Sequence, residues 1–256
     1  MLDVIYVGIL AFCLAIVNDS LGGGYGTISG PILILFGYDP IAIIPTILVS
    51  EACSEYCCGA LNVKLKNVDF RVFGLTIVGG MIGIISAIFL IGIYLPATMT
   101  KTYIGTITVV MGAFVIIKSF RIVEKHSKQH KPSSWKVTLL GLICGFNKSS
   151  TGGGYGPIST PGYLLLGLKP AKAVGTTILT KATACLISMV LYAVITGIDL
   201  PLMIPMTVGA VTAAPISAWA NNYMGRKITP SSHGRFIGIV MTLLGLYTLM
   251  KTLRLL

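Results

Sequence analysis

Along this chain, long apolar runs alternate with short polar links. Apolar residues fill 4–17, 27–37, 40–63, 71–93 and 98–120, then 135–147, 157–168, 170–196, 201–220 and 236–254. A helix rising about 1.5 Å per residue needs about 20 residues to cross the hydrocarbon core. Six of the runs reach or approach that length. The other four cover only about 16 to 21 Å each, and they come in pairs, on either side of the same pentapeptide: GGGYG at 22–26 and again at 152–156. The pattern predicts an all-α polytopic membrane protein. In it, each short pair goes partway into the bilayer, breaks at the glycines and returns, and three spanning helices follow.

Alignment at GGGYG brings whole halves into register. Asn18 precedes the first copy and Asn147 the second; Ile28, Ser29 and Pro31 match Ile158, Ser159 and Pro161; Gly37 and Pro40 match Gly167 and Pro170; Thr46 matches Thr176 and Asp69 matches Asp199. After a three-residue shift, Gly105, Gly112, Lys118 and Arg121 fall on Gly238, Gly245, Lys251 and Arg254. This is an internal duplication, with a first repeat over 1–120, a basic linker over 121–134 and a second repeat over 135–256.

Charge then sets orientation. Basic residues in short loops mark the cytoplasmic side. The link after 40–63 holds Lys64, Lys66 and Arg71, whereas its equivalent, 197–201, holds none. Lys101 stands alone in the next link, whereas its equivalent, 225–235, holds Arg226, Lys227 and Arg235. The bias reverses between halves, so two inverted repeats are expected, with the central link inside and both termini outside the cell membrane. Lys251 and Arg254 run against that placement of the C-terminus.

Composition agrees with a bilayer: 54% of residues are hydrophobic and 11% charged, against about 25% charged in a soluble domain. The net charge of +11 would suggest nucleic acid in a soluble chain, but here the basic residues sit in links between apolar runs, so no nucleic-acid partner is expected. The six cysteines lie in or beside apolar segments and read as packing residues rather than a disulfide framework. Asp3 stands where a secretory signal would carry Lys or Arg, so the first run reads as mature structure.

Inverted repeats with broken helices at corresponding positions mark transporters, whose halves exchange conformations around one midplane site. Irregular backbone at that depth survives only where protein buries it or it lines a cavity. The half-helix after each break offers amide N–H groups and the positive end of its dipole, which together suit an anion. The alternative is that the glycines only permit close packing. A nucleotide loop does not fit, because neither copy continues as GK[ST] and membrane helices flank both.

The stretch NDSLGGGYGTISGPILILFGYDP, followed by an apolar helix and LNVKLKNVDFRV, resembles the TauE/SafE family of membrane permeases, also called the sulfite exporter or TSUP family. The resemblance covers essentially the whole chain. It implies transport of small sulfur-containing or organic anions such as sulfite, thiosulfate, sulfoacetate or related sulfonates, and it does not choose among them. Direction of transport, coupling ion and oligomeric state, a homo-oligomer included, stay open, and no cofactor is implied.

Candidate substrate-binding residues are Asn18, Ser20, Gly22, Gly23, Gly24 and Tyr25 in the first copy. In the second they are Asn147, Lys148, Ser149, Gly152, Gly153, Gly154 and Tyr155. Asn18, Ser20, Asn147, Ser149, Ser150 and Thr151 either donate to an oxyanion or cap the half-helices. Tyr25 and Tyr155 are either pocket walls or packing. Lys148 would neutralise an anion, and it stands where the first copy has Asp19, so the two hairpins need not contribute equally. Ionisable groups within membrane segments are functional candidates: Glu51 and Lys181 occupy equivalent positions and are expected to pair across the repeat, as a gate, a coupling pair or a structural pair, while Glu55 has no evident cationic counterpart. Cys53 and Cys57, four apart on one helix face, keep open an alternative as a carrier of a soft metal such as copper. His233 has no nucleophile motif beside it, so no enzyme is expected.

Overall fold

The computed structural model describes residues 2–21, 25–121, 132–195, 199–224 and 230–253. Among them there are ten α-helices and no strand: α1 (Leu2–Leu21), α2 (Tyr25–Leu35), α3 (Pro40–Lys64), α4 (Phe70–Phe89, continued by a π-helical turn, Leu90–Tyr94), α5 (Ala97–Arg121), α6 (Ser134–Thr151), α7 (Tyr155–Leu165), α8 (Pro170–Ile195), α9 (Leu200–Met224) and α10 (Pro230–Thr252). Matching residues produce matching helix ends. Gly37 ends α2 at φ +96° and Gly167 ends α7 at φ +94°, a left-handed conformation that glycine adopts without steric cost. In each case two amides turn back on the helix: Gly37 and Tyr38 donate to Ile34 and Leu33, and Gly167 and Leu168 donate to Leu164 and Tyr163. Pro40 and Pro170 then open the long helices α3 and α8 from the first position, where a missing N–H costs nothing. Asp69 and Asp199 accept from the amides of Val72 and Leu202, at 3.2 Å and 3.1 Å, and so start α4 and α9.

Four stretches among the described residues are long and apolar enough to cross a membrane: Pro40–Lys64, Phe70–Phe89, Ala97–Ile117 and Ala171–Ile195. α9 and α10 are comparably long, with shorter apolar portions at Leu200–Ala213 and Gly238–Thr252. The helices before the breaks differ from expectation. α2 and α7 have 11 residues each, but α1 has 20 and α6 has 18, because the polar residues that were to end α6 continue it. Ser150 and Thr151 return their hydroxyl hydrogens to the Asn147 carbonyl at 3.1 Å and 2.7 Å, so they are satisfied inside the helix. Each pair therefore joins one nearly full-length helix to one half-length helix.

Close packing is concentrated between halves: α1 against α9, α4 against α6, α5 against α10 and α3 against α8. Small residues bring the backbones together. A Cβ on Gly83 would clash with the Leu142 carbonyl and one on Gly145 with Gly80, while Gly209 faces Gly8. Gly105 lies against Gly245, and Gly112 against Gly238, so the aligned glycines of the two halves pack on one another and α5 runs antiparallel to α10. α3 and α8 also run in opposite directions, with Gly59 beside Leu179 and Asn67 beside Gly175. The amide of Asp69 donates to the Thr176 hydroxyl at 2.9 Å, which anchors the start of α4 to α8.

Candidate functional site

Gly152 and Gly154 both adopt φ +74°, with Gly153 between them, and this turns the chain from α6 into α7. That turn sits directly on the start of α2. A Cβ on Gly26 would overlap the Gly152 carbonyl, one on Gly153 would meet the Thr27 amide, and Gly154 N–H donates to the Thr27 hydroxyl at 2.8 Å. The second GGGYG thus touches the last residue of the first copy and the threonine after it. Gly22, Gly23 and Gly24 lie outside the described residues, as do the side chains of Asn18 and Ser20.

In this conformation the amides of the break already have partners. Gly152 donates to the Lys148 carbonyl at 2.9 Å, Gly153 to the Thr151 hydroxyl at 3.1 Å and Gly154 to Thr27. Asn147 donates through Nδ2 to the Gly153 carbonyl at 3.3 Å. Neighbouring hydroxyls and a carbonyl accept from these amides, since an unpartnered buried N–H would cost about 1–3 kcal/mol. The serines beside the break are tied down as well. Ser149 pairs with Ser188 on α8 at 2.6 Å, Tyr192 donates to the Ser149 carbonyl at 2.8 Å, and Tyr103 of α5 pairs with Ser150 at 3.2 Å.

The two tyrosines of the repeat are buried in equivalent surroundings, Tyr25 at 2% and Tyr155 at 1% exposure. Ser50 donates to the Tyr25 hydroxyl at 3.1 Å. Tyr155 faces Thr180, the residue that corresponds to Ser50, and its hydroxyl makes no hydrogen bond of good geometry among the described residues. Both rings pack in the main core.

Glu51 and Lys181 do pair across the repeat, Lys181 Nζ lying 3.1 Å from Glu51 Oε1. The pair is half of a larger array. Lys148 bonds the other carboxylate oxygen of Glu51, and Lys181 also bonds Glu55. The view that Glu55 lacks a cationic counterpart is therefore corrected. One row, Lys148–Glu51–Lys181–Glu55, crosses from α6 to α3 to α8 and back to α3, with all four side chains buried. Its charges sum to zero, which is how such groups are tolerated away from water. Lys148 also donates to the Gly152 carbonyl at 2.8 Å, so this end of the row rests on the glycine break.

Cys53 and Cys57 lie on the exposed face of α3, away from the row. Among the described residues, no group of three or more His, Cys, Asp or Glu side chains is placed to hold a metal ion. Residues the sequence did not single out include Thr27, Tyr103, Ser188 and Tyr192. Thr27 corresponds to Pro157, so the repeat alignment, which flags identities, passed over it. The other three lie outside the GGGYG neighbourhood, and only the fold brings them to it.

The family model for the sulfite exporter TauE/SafE matches residues 7–248. A curated relative, the probable membrane transporter protein YtnM of Bacillus subtilis (strain 168), is 29% identical over 253 residues, which cover 96% of this chain and 81% of its own. No solved structure matches the chain.

Proposed function

Because this chain belongs to the sulfite exporter TauE/SafE family, a family of membrane transporters, we propose that it carries small sulfur-containing anions, namely sulfite, thiosulfate or an organosulfonate, across the cell membrane by alternating access. The observation that carries this reading is the seating of the second break on the start of α2, the half-helix that follows the first GGGYG glycines, with Gly154 bonded to Thr27 and the ammonium of Lys148 held on the Gly152 carbonyl. Glycine backbone, amides and hydroxyls suit sulfur oxyanions, whose oxygens accept from several donors at once. The antiparallel packing of α5 on α10, helices that correspond in the two repeats, supports an inverted arrangement. In this arrangement either half can adopt the conformation of the other, and the central site opens to each side in turn. Asn18, Ser20, Asn147 and Ser149 would complete the donor set once the hydroxyl pairs around the break separate.

Proteoliposomes of purified protein test this by uptake of labelled sulfite, thiosulfate and methanesulfonate. Saturable uptake of at least one, with mutual competition, is expected. Uptake no faster than that of protein-free vesicles for all three would overturn the reading.

A further inference from the structure

The electroneutral row of buried charges constrains what else must move with an anion. We propose that each anion carried is accompanied by a proton, taken up by the carboxylate pair Glu51 and Glu55; this rests on the reading of the glycine breaks as an anion site.

Lys148, Glu51, Lys181 and Glu55 are 1%, 3%, 5% and 6% exposed. Of the four, Lys148 faces the break, through its bond to the Gly152 carbonyl. An anion arriving there meets the Lys148 ammonium with one side already occupied by a carboxylate oxygen of Glu51. Glu51 thus stands in for the substrate, an oxyanion bonded to the same cation. When the substrate takes Lys148, Glu51 is left with Glu55 on the single ammonium of Lys181. The row has then gained one negative charge among buried side chains. Two carboxylates sharing one cation in such a place hold one proton between them. Anion and proton arrive together, the sum returns to zero, and both leave together when Glu51 regains Lys148. For a monovalent anion no net charge crosses the membrane.

Among the described residues, nothing else nearby offers the missing positive charge. Cys185 of α8 lies beside the row, and Tyr25 of α2, a neutral group, accepts from Ser50 of α3. α5 contributes Tyr103, which is engaged with Ser150, and its Lys101 lies near the start of the helix, the fifth residue after Pro96. α9, which also packs on α3, has no charged residue in its sequence.

The test uses methanesulfonate and thiosulfate, whose own charge does not change over the working pH range, added to purified wild-type protein in weak buffer. Methanesulfonate binding should take up about one proton per anion, and by linkage its affinity should fall about tenfold per pH unit where the pair titrates. Glu55→Gln leaves Glu51 alone with Lys181, so this variant should bind without proton uptake. In proteoliposomes its transport should follow membrane potential instead of an imposed pH gradient. Wild-type binding with no proton uptake would overturn the coupling and leave the anion site standing. A Glu55→Gln protein that still takes up a proton would overturn the assignment to this pair. Failure of both anions to bind would overturn the site and the coupling with it.

Discussion

Lys181 holds two carboxylates and Glu51 two ammonium groups, so neither can be removed as half of an isolated pair. Removing one partner from a buried ion pair costs about 3–5 kcal/mol. Neutralising Glu51 and Lys181 together, which would be harmless for an isolated pair, strands Lys148 and Glu55 at opposite ends. The double variant Glu55→Gln with Lys181→Met removes one charge of each sign and leaves Lys148 with Glu51. Thermal melts should therefore rank it as more stable than Lys181→Met alone, and the pair Glu51→Gln with Lys181→Met as the least stable double; the reverse order would mean that the row does not act as a unit. Thr27→Val should lower stability by about 1–3 kcal/mol by stranding the Gly154 amide, while Thr27→Ser keeps the acceptor and should melt near wild type. At this scale the sequence disclosed the Glu51–Lys181 pairing, because both stand at equivalent places in a duplication. It did not disclose the Lys148–Glu51 or Lys181–Glu55 bonds. Lys148 corresponds to Asp19 and Glu55 to Cys185, and such unlike positions carry no signal of contact until helices are placed beside one another.

Among elements, the runs that became α2, α3, α4, α5, α7 and α8 were legible almost to their ends, because glycine, proline and aspartate punctuate them where the backbone needs a left-handed turn, a first helical position or a cap. The ends of α1 and α6 were not. Asparagine, serine and threonine before a glycine run usually signal a cap, and in α6 tertiary burial made them the last helical turn instead. Helix pairing was half visible: the glycines shared by α5 and α10 emerged from the alignment, but their direct contact did not. A glycine within these helices can be diagnosed by what surrounds it. Gly141 of α6 would drive a Cβ into the backbone of Thr76, whereas Gly74 of α4 has open space. Gly141→Ala should cost about 3 kcal/mol, the upper part of the overpacking range. Gly74→Ala should be neutral or stabilising by up to about 1 kcal/mol. Equal melting of the two proteins would count against close packing of α4 on α6.

For the whole molecule, the proposed inversion predicts which loops a reagent can reach. On a cysteine-free background, single cysteines near Lys66 and Arg226 should be protected from an impermeant thiol reagent added outside intact cells, while those near Pro96 and Ile198 react. Like reactivity at the equivalent sites Lys66 and Thr196 would make the repeats parallel. The partner exchange between halves also bears on how the protein is made. α1 and α4 pack chiefly on α9 and α6, and α3 and α5 on α8 and α10, so synthesis of the first half delivers helices whose main neighbours do not yet exist. The ribosome must add roughly a further hundred residues, several seconds of elongation, before α1 can meet α9. During that interval α5 presents its glycine face to lipid, as α4 does until α6 is made. A chain stopped after residue 121 should therefore be cleared by membrane proteases, and co-synthesis of residues 132–256 as a separate chain should rescue it, in a pulse-chase measurement of its lifetime.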